Sequence, residues 1–280
     1  MKSNHKILCP VDFSDCSLNA IEFAARIGEL YQSQLTLVHV VNSEDYFKLF
    51  PGETDSKKQE QFIKTKLENL KVAVVEESIP KGLATCDTLI IQGRIVDTVC
   101  GIAEDGNYDL IVIGTDGVNG NRSGKMGSRA SQIVDNSEKD VLVIPRASYF
   151  KEMEKIAYAQ DYLEEDKIAI QKVGDVANFF KSTLDVVHFE RKINERNRFL
   201  NSEMQEELKP FSRNLELNFK LFPIEDSLVE SIQDYCENEK VGILFTLSFP
   251  QTVWDRLFDR SLSKKLAFSL STPLWVIKSF

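Results

Sequence analysis

The sequence predicts an α/β fold built from two doubly wound parallel sheets of five strands each, in tandem along 280 residues. Three observations predict it. Short β-type apolar runs alternate with segments of helical periodicity along the chain. Runs such as Leu110-Ile111-Val112-Ile113 and Val141-Leu142-Val143-Ile144 are continuously apolar, the pattern of strands covered on both faces. The plan of the first half also recurs in the second.

The repeat is read residue by residue. Lys6-Ile7 opens an apolar run that ends at Asp12, and Lys155-Ile156 opens one that ends at Asp161. Ile21, Ala24, Gly28 and Tyr31 match Ile170, Val173, Ala177 and Phe180, and Leu37-Val38-His39 matches Val186-Val187-His188. Further on, Ile95-Val96-Asp97 matches Leu228-Val229-Glu230, Ile111–Ile113 matches Leu244–Thr246, and Val141–Ile144 matches Leu274–Ile277. The second copy is shorter in between. A boundary near Ser148 to Glu152 gives two domains, 1–148 and 152–280.

In the first domain, strands are expected at 5–11, 35–41, 87–92, 109–114 and 141–144, and helices at 15–32, 57–71, 95–106 and 128–137. In the second, strands are expected at 155–160, 183–189, 215–221, 242–247 and 273–278. Leu215 to Leu221 alternates strictly between apolar and polar. That suits an edge strand with one wet face, as the third strand is in the order 3-2-1-4-5.

Composition narrows the function. Hydrophobic residues make up 42% and charged residues 28%, ordinary for a globular protein. The net charge of -9 argues against nucleic acid, whose phosphates require clustered Lys and Arg, and against a membrane surface. The chain shows no signal-type apolar stretch and no run long enough to span a bilayer. Five cysteines with no C-x-x-C pair read as reduced and buried. A cytoplasmic location is expected. His5, His39 and His188 are too scattered to suggest a metal site and read as structural.

The chemistry concentrates after the fourth strand, from Gly114 to Ser128. Five glycines stand in that stretch: Gly114, Gly117, Gly120, Gly124 and Gly127. Each costs backbone entropy, and close approach of backbone N–H groups to an anion is one reason to accept it. The stretch ends where a helix is expected, and a helix N-terminus favours phosphate. Arg122, Lys125 and Arg129 add positive charge. The segment is not a P-loop, because its glycine spacing is too short and Met126 stands where Ser or Thr is required. In a sheet of this order, ligands sit beyond the carboxyl ends of strands 1 and 4. Pro10-Val11-Asp12 and the glycine stretch border that crevice. A flexible connection, and a plain turn or helix cap at Asp12, are the bland alternatives.

Gly114-x-x-Gly117, nine residues, then Gly127-Ser128 resembles the G-2X-G-9X-G-S/T motif of ATP-binding universal stress proteins. Ile7–Ser14, Leu37–Val41 and Asp109–Gly114 resemble that family's first, second and fourth strands, so the resemblance covers residues 4–146. It implies a Rossmann-like, adenine nucleotide alpha hydrolase-like fold. It also implies an ATP site in which Pro10, Val11 and Asp12 line the nucleoside and Val40 borders adenine at the end of strand 2. Ile113 and Gly114 close strand 4, and Gly114 and Gly117 pass ribose and phosphate. Gly127, Ser128 and Arg129 hold phosphates, and Mg²⁺ can accompany them. Arg129 departs from the small or β-branched residue that the family often has after the serine.

In the second domain Leu247, Pro250 and Arg260 replace Gly114, Gly117 and Gly127, and only Ser261 is kept. Pro250 lacks an N–H, so a phosphate cradle of the same design is not expected. Phe249, Trp254 and Phe258 are expected to fill the crevice or pack as core. By the same resemblance, Val141–Ile144 and Leu274–Ile277 would pair as an intramolecular pseudo-dimer, with homo-oligomers a further option. The reading is an ATP-binding regulatory or stress-response protein with no catalytic or metal-ligating residues assigned. A nucleotide-free interaction scaffold is the alternative. An adenylating enzyme is disfavoured by the glycine-free turn after strand 1, and ATP hydrolysis is expected to be slow at most because no nucleophile–base pair is evident.

Overall fold

The structure is a computed structural model that describes residues 5–41, 56–115, 129–151, 153–211, 215–248 and 260–278. It divides into two compact units, one within Met1–Thr115 and Asn136–Arg146, the other within Asp116–Asp135 and Ala147–Phe280.

The first unit runs β1 (Lys6–Pro10), α1 (Asp15–Tyr31), β2 (Gln34–Val41), α2 (Ser56–Ser78), β3 (Thr85–Gln92), α3 (Ile95–Asp105), β4 (Leu110–Thr115) and, after α4 (Arg129–Asn136), β5 (Asp140–Pro145). All but the last residue of α4 groups with the second unit. The strands pair in parallel in the order β3-β2-β1-β4-β5. Ile7, Leu8 and Cys9 of β1 and Leu110, Ile111 and Val112 of β4 are wholly buried, because helices cover both faces of a parallel sheet. Ser14 caps α1 by accepting from Ser17 N at 3.3 Å. Ala20, Phe23, Ala24 and Ile27 turn α1's apolar stripe inward. Helix α2 runs past its expected end at 71 to Ser78, then tightens into a 3-10 turn over Ile79–Lys81. Pro80 ends it, since a proline disfavours helical geometry at the residue before it.

The second unit runs β6 (Lys155–Ala159), α5 (Glu164–Phe180), β7 (Thr183–Glu190), α6 (Glu195–Leu208), β8 (Leu217–Pro223), α7 (Leu228–Asn238), β9 (Ile243–Ser248), α8 (Arg260–Ser269) and β10 (Leu274–Lys278). Its parallel order is β8-β7-β6-β9-β10, the same winding as the first. β3 and β8 are the half-buried third strands, far from the fifth strand in each unit. β8 starts two residues later than its alternation suggests. Leu184 N bonds to the Glu216 carbonyl, and the ladder begins at Leu217. Leu215 instead lies against α5, its Cδ2 3.4 Å from where a Cβ on Gly174 would stand.

The repeat reaches into the backbone torsions. The non-glycine residues with positive φ among those described are Phe13, Gln32, Asn107, Tyr162, Lys181 and Lys240. They form three matched pairs: Phe13 with Tyr162 after the first strand, Gln32 with Lys181 closing the first helix, and Asn107 with Lys240 before the fourth strand. An uncommon backbone state held at the same place in both copies marks one shared architecture.

Candidate functional site

β1 lies between β2 and β4, so the winding reverses there and the carboxyl ends of β1 and β4 border a crevice. Pro10 closes β1. Val11, 3% exposed, continues the ladder by donating from its N–H to the Val38 carbonyl at 2.8 Å. Val40 and Ile113 are buried near the ends of β2 and β4, and Gly114 is half-buried. These residues and Asp12 are brought to one end of the sheet.

Asp12 is exposed, and its Oδ1 accepts from the Ser14 backbone N–H at 3.1 Å and the Ser14 hydroxyl at 2.5 Å. The turn before α1 thus fixes the direction of this carboxylate. Gly114 has a packing role of its own. A Cβ there would stand 2.4 Å from both the carbonyl carbon and oxygen of Cys16. The first turn of α1 therefore lies directly on β4, a closeness that only glycine permits.

Three residues the sequence reading did not assign to the site cluster at Phe13, next to Asp12 in the chain. Phe13, at φ 64, stacks on His39 with ring centroids 5.0 Å apart. His39 is buried, and its Nδ1–H donates to the Val11 carbonyl at 2.7 Å. Lys66 of α2 lies 5.4 Å from the Phe13 centroid and 4.8 Å from that of Phe62. The recurrence of an aromatic residue at 13 and 162 and a histidine at 39 and 188 was the available signal. The reach of Lys66 depends on helix placement and has no sequence signature.

Gly117, Gly127 and Ser128, with Arg122 and Lys125, lie outside the described residues. Arg129 is exposed and opens α4, which groups with the second unit.

The cysteines fit a structural role. Cys9, Cys16, Cys86 and Cys236 are buried and Cys100 is half-buried. Burial pushes the Cys86 and Cys236 thiols up to about 12 and Cys9 higher still, so these three stay protonated near neutral pH.

The sequence pattern of the Universal stress protein family matches residues 3–145. The chain belongs to the universal stress protein family. A universal stress protein of Methanocaldococcus jannaschii is 28% identical over 158 residues, spanning 50% of this chain and 94% of its own. One from Synechocystis is 30% identical over 139 residues, spanning 50% of this chain and 84% of its own. A solved universal stress protein from Archaeoglobus fulgidus covers 99% of both chains with a TM-score of 0.72 at 16% identity, which shows the shared fold across both halves. No described helix is long and apolar enough to cross a membrane.

The second universal stress fold is built differently at the matched positions. Leu247, 2% exposed, replaces Gly114. A side chain of that size cannot sit under a helix backbone as Gly114 does. Gln160 and Tyr162 replace Val11 and Phe13. The turn is held by Asp166, which is buried and accepts from the Leu163 N–H at 2.7 Å, the Asp161 N–H at 3.0 Å and the Tyr158 hydroxyl at 2.5 Å. Burial pushes the Asp166 carboxyl up to about 6, against those hydrogen bonds. Phe249, Trp254 and Phe258 lie outside the described residues.

Proposed function

We propose that the first unit binds ATP, with Mg²⁺ carried on its phosphates, and that occupancy sets the state of a regulatory stress-response protein. One conjunction carries this reading. The Gly114-2X-Gly117-9X-Gly127-Ser128 motif leaves β4 where the sheet's winding reverses. The described residues suit the nucleoside half: Val11, Val40 and Ile113 are apolar, and Asp12 supplies one oriented carboxylate for ribose hydroxyls. Gly117, Gly127, Ser128 and Arg129 are assigned to the phosphates, whose charge would be met by backbone N–H groups and cations rather than by a nucleophile. The expected chemistry is therefore binding, with slow hydrolysis at most. The second fold, with Leu247, Pro250 and Arg260 at the glycine positions, serves as a structural or partner-binding module. Pairing of β5 with β10 as an internal pseudo-dimer completes the proposal and rests on the family resemblance.

The test is nucleotide identification in freshly purified protein, followed by thermal unfolding with and without ATP and Mg²⁺. At one hundred times Kd, ATP stabilises by about 2.7 kcal/mol. A Gly127→Val variant should keep its circular dichroism spectrum and lose that shift. Absence of bound nucleotide together with an unchanged melting temperature would favour the nucleotide-free scaffold.

A further inference from the structure

Helix α4 begins directly after the Gly127-Ser128 pair and has eight residues, Arg129–Asn136. A helix that short is unstable alone and depends on what holds it. Ala130, Ser131, Ile133 and Val134 are buried and hold one face. The carbonyls of its last four residues, Val134 among them, have no partner within the helix. Its last turn has no basic residue to meet the negative end of the helix dipole, and carries Asp135 instead.

The missing cation comes from β10. Lys278 closes that strand, and its Nζ donates to the Val134 carbonyl. Val134 is 1% exposed and Lys278 is half-buried, and a buried carbonyl needs a partner. One ammonium thus satisfies this acceptor and stands at the helix end where positive charge is favourable. Val134 and Lys278 belong to the same compact unit.

The two copies differ at this point. Val141–Ile144 matches Leu274–Ile277, so Pro145 stands where Lys278 stands. A proline side chain has no donor. The lysine is therefore not part of the plan that the two folds share. It serves the helix that follows the intact glycine motif, the helix whose start is assigned to the phosphates.

We propose that Lys278 is a positioning residue for the phosphate end of the nucleotide site. By holding α4 at its carboxyl end it keeps the amino end in place for the phosphates, so residues of the second universal stress fold set the affinity for ATP without setting that for the nucleoside. This rests on the ATP reading. An eight-residue helix rises only about 12 Å and moves as one short body, so a lost anchor at one end is felt at the other. Val11, Asp12 and Val40, assigned to the nucleoside, are held by the ladder of β1 and β2 and by the turn before α1.

The test compares the Kd of ATP with Mg²⁺, by calorimetry on the full chain, with that of adenosine, by ligand-observed NMR. Lys278→Met keeps the unbranched stem and removes the donor and the charge. It should weaken ATP about fivefold and leave adenosine within about twofold of the wild type. Lys278→Arg keeps donor and charge and should bind ATP as the wild type does. Hydrogen exchange in the α4 peptide should quicken in Lys278→Met and not in Lys278→Arg. If Lys278→Met fails to fold, Lys278→Gln carries the same expectations. A lysine with only a general structural role would weaken ATP and adenosine by the same factor, and that result would overturn the proposal. So would unchanged ATP affinity in Lys278→Met, or an arginine variant as weak as the methionine one. In each of those cases the wild type still binds ATP and the nucleotide reading stands. A wild type that binds no ATP would instead remove that reading, and this proposal with it.

Discussion

Replacing Gly114 with alanine adds one methyl group at the tightest glycine contact with backbone in the described structure. The new Cβ would meet the Cys16 carbonyl carbon and oxygen at 2.4 Å and the Cys16 Cβ at 2.8 Å. Real Cβ contacts essentially never fall below 3.0 Å, and these atoms belong to a helix backbone instead of a rotatable side-chain tip. Overpacking costs about 1–3 kcal/mol, and a rigid obstacle places this site near about 3. Alanine returns about 0.4–1 kcal/mol by restricting the unfolded chain, leaving a net loss of about 2 kcal/mol. At a slope near 2 kcal/mol/M, that is a urea midpoint about 1 M lower. Trp254 and Trp275 both lie in the second half, so tryptophan fluorescence would follow the wrong unit. Hydrogen exchange of peptides from β1, α1 and β4 with increasing urea reads the first unit directly. Gly101→Ala is the matched control, because it sits inside α3 with nothing within 4 Å of the added Cβ. It should stabilise by about 0.5–1 kcal/mol. If Gly114→Ala is as stable as the wild type, the argument that glycine is needed for the approach of α1 to β4 is wrong.

Two further outcomes concern the second unit and can be read by tryptophan fluorescence. The Asp166 carboxyl is raised from its usual 3.8 to about 6 by burial, so the folded state holds its proton longer than the unfolded state. Stability therefore falls as pH rises through that interval, by on the order of 3 kcal/mol, and is level above it. Urea unfolding should show the wild type losing stability relative to Asp166→Asn between those pH values, and parallel curves would refute the assignment. Asp185 is wholly buried and receives Lys220 at 2.7 Å, the Tyr235 hydroxyl at 2.9 Å, Asn218 at 3.1 Å and Lys155 at 3.4 Å. Burial alone would raise its pKa, but the hydrogen bonds from Lys220, Tyr235 and Asn218 prevail and lower it. Asp185→Ala should cost about 3 kcal/mol, the low end for a broken buried pair because both lysines keep some solvent. A loss under about 1 kcal/mol would show that the network contributes little.

The linear sequence determined the tandem winding, because apolar runs and helical stripes are set by which residues must leave water, and that choice repeats in both halves. It also located the crevice, since Pro10, Val11, Asp12 and Gly114 end strands whose order follows from the alternation of elements. It under-read α2, whose later residues carry too little apolar periodicity to mark where the helix stops. It placed β8 early, because strict alternation has no intrinsic start. Tertiary structure alone decided that Gly114 lies under the carbonyl of Cys16 and that Lys66 reaches over Phe13. It alone set the buried Gln160 amide against Asn201 and the His188 ring against the Gln160 carbonyl. Periodicity reports which face of an element is buried. Distances between atoms far apart in sequence depend on how two elements settle against each other, and at Gly114 that settling leaves no room for a single added carbon.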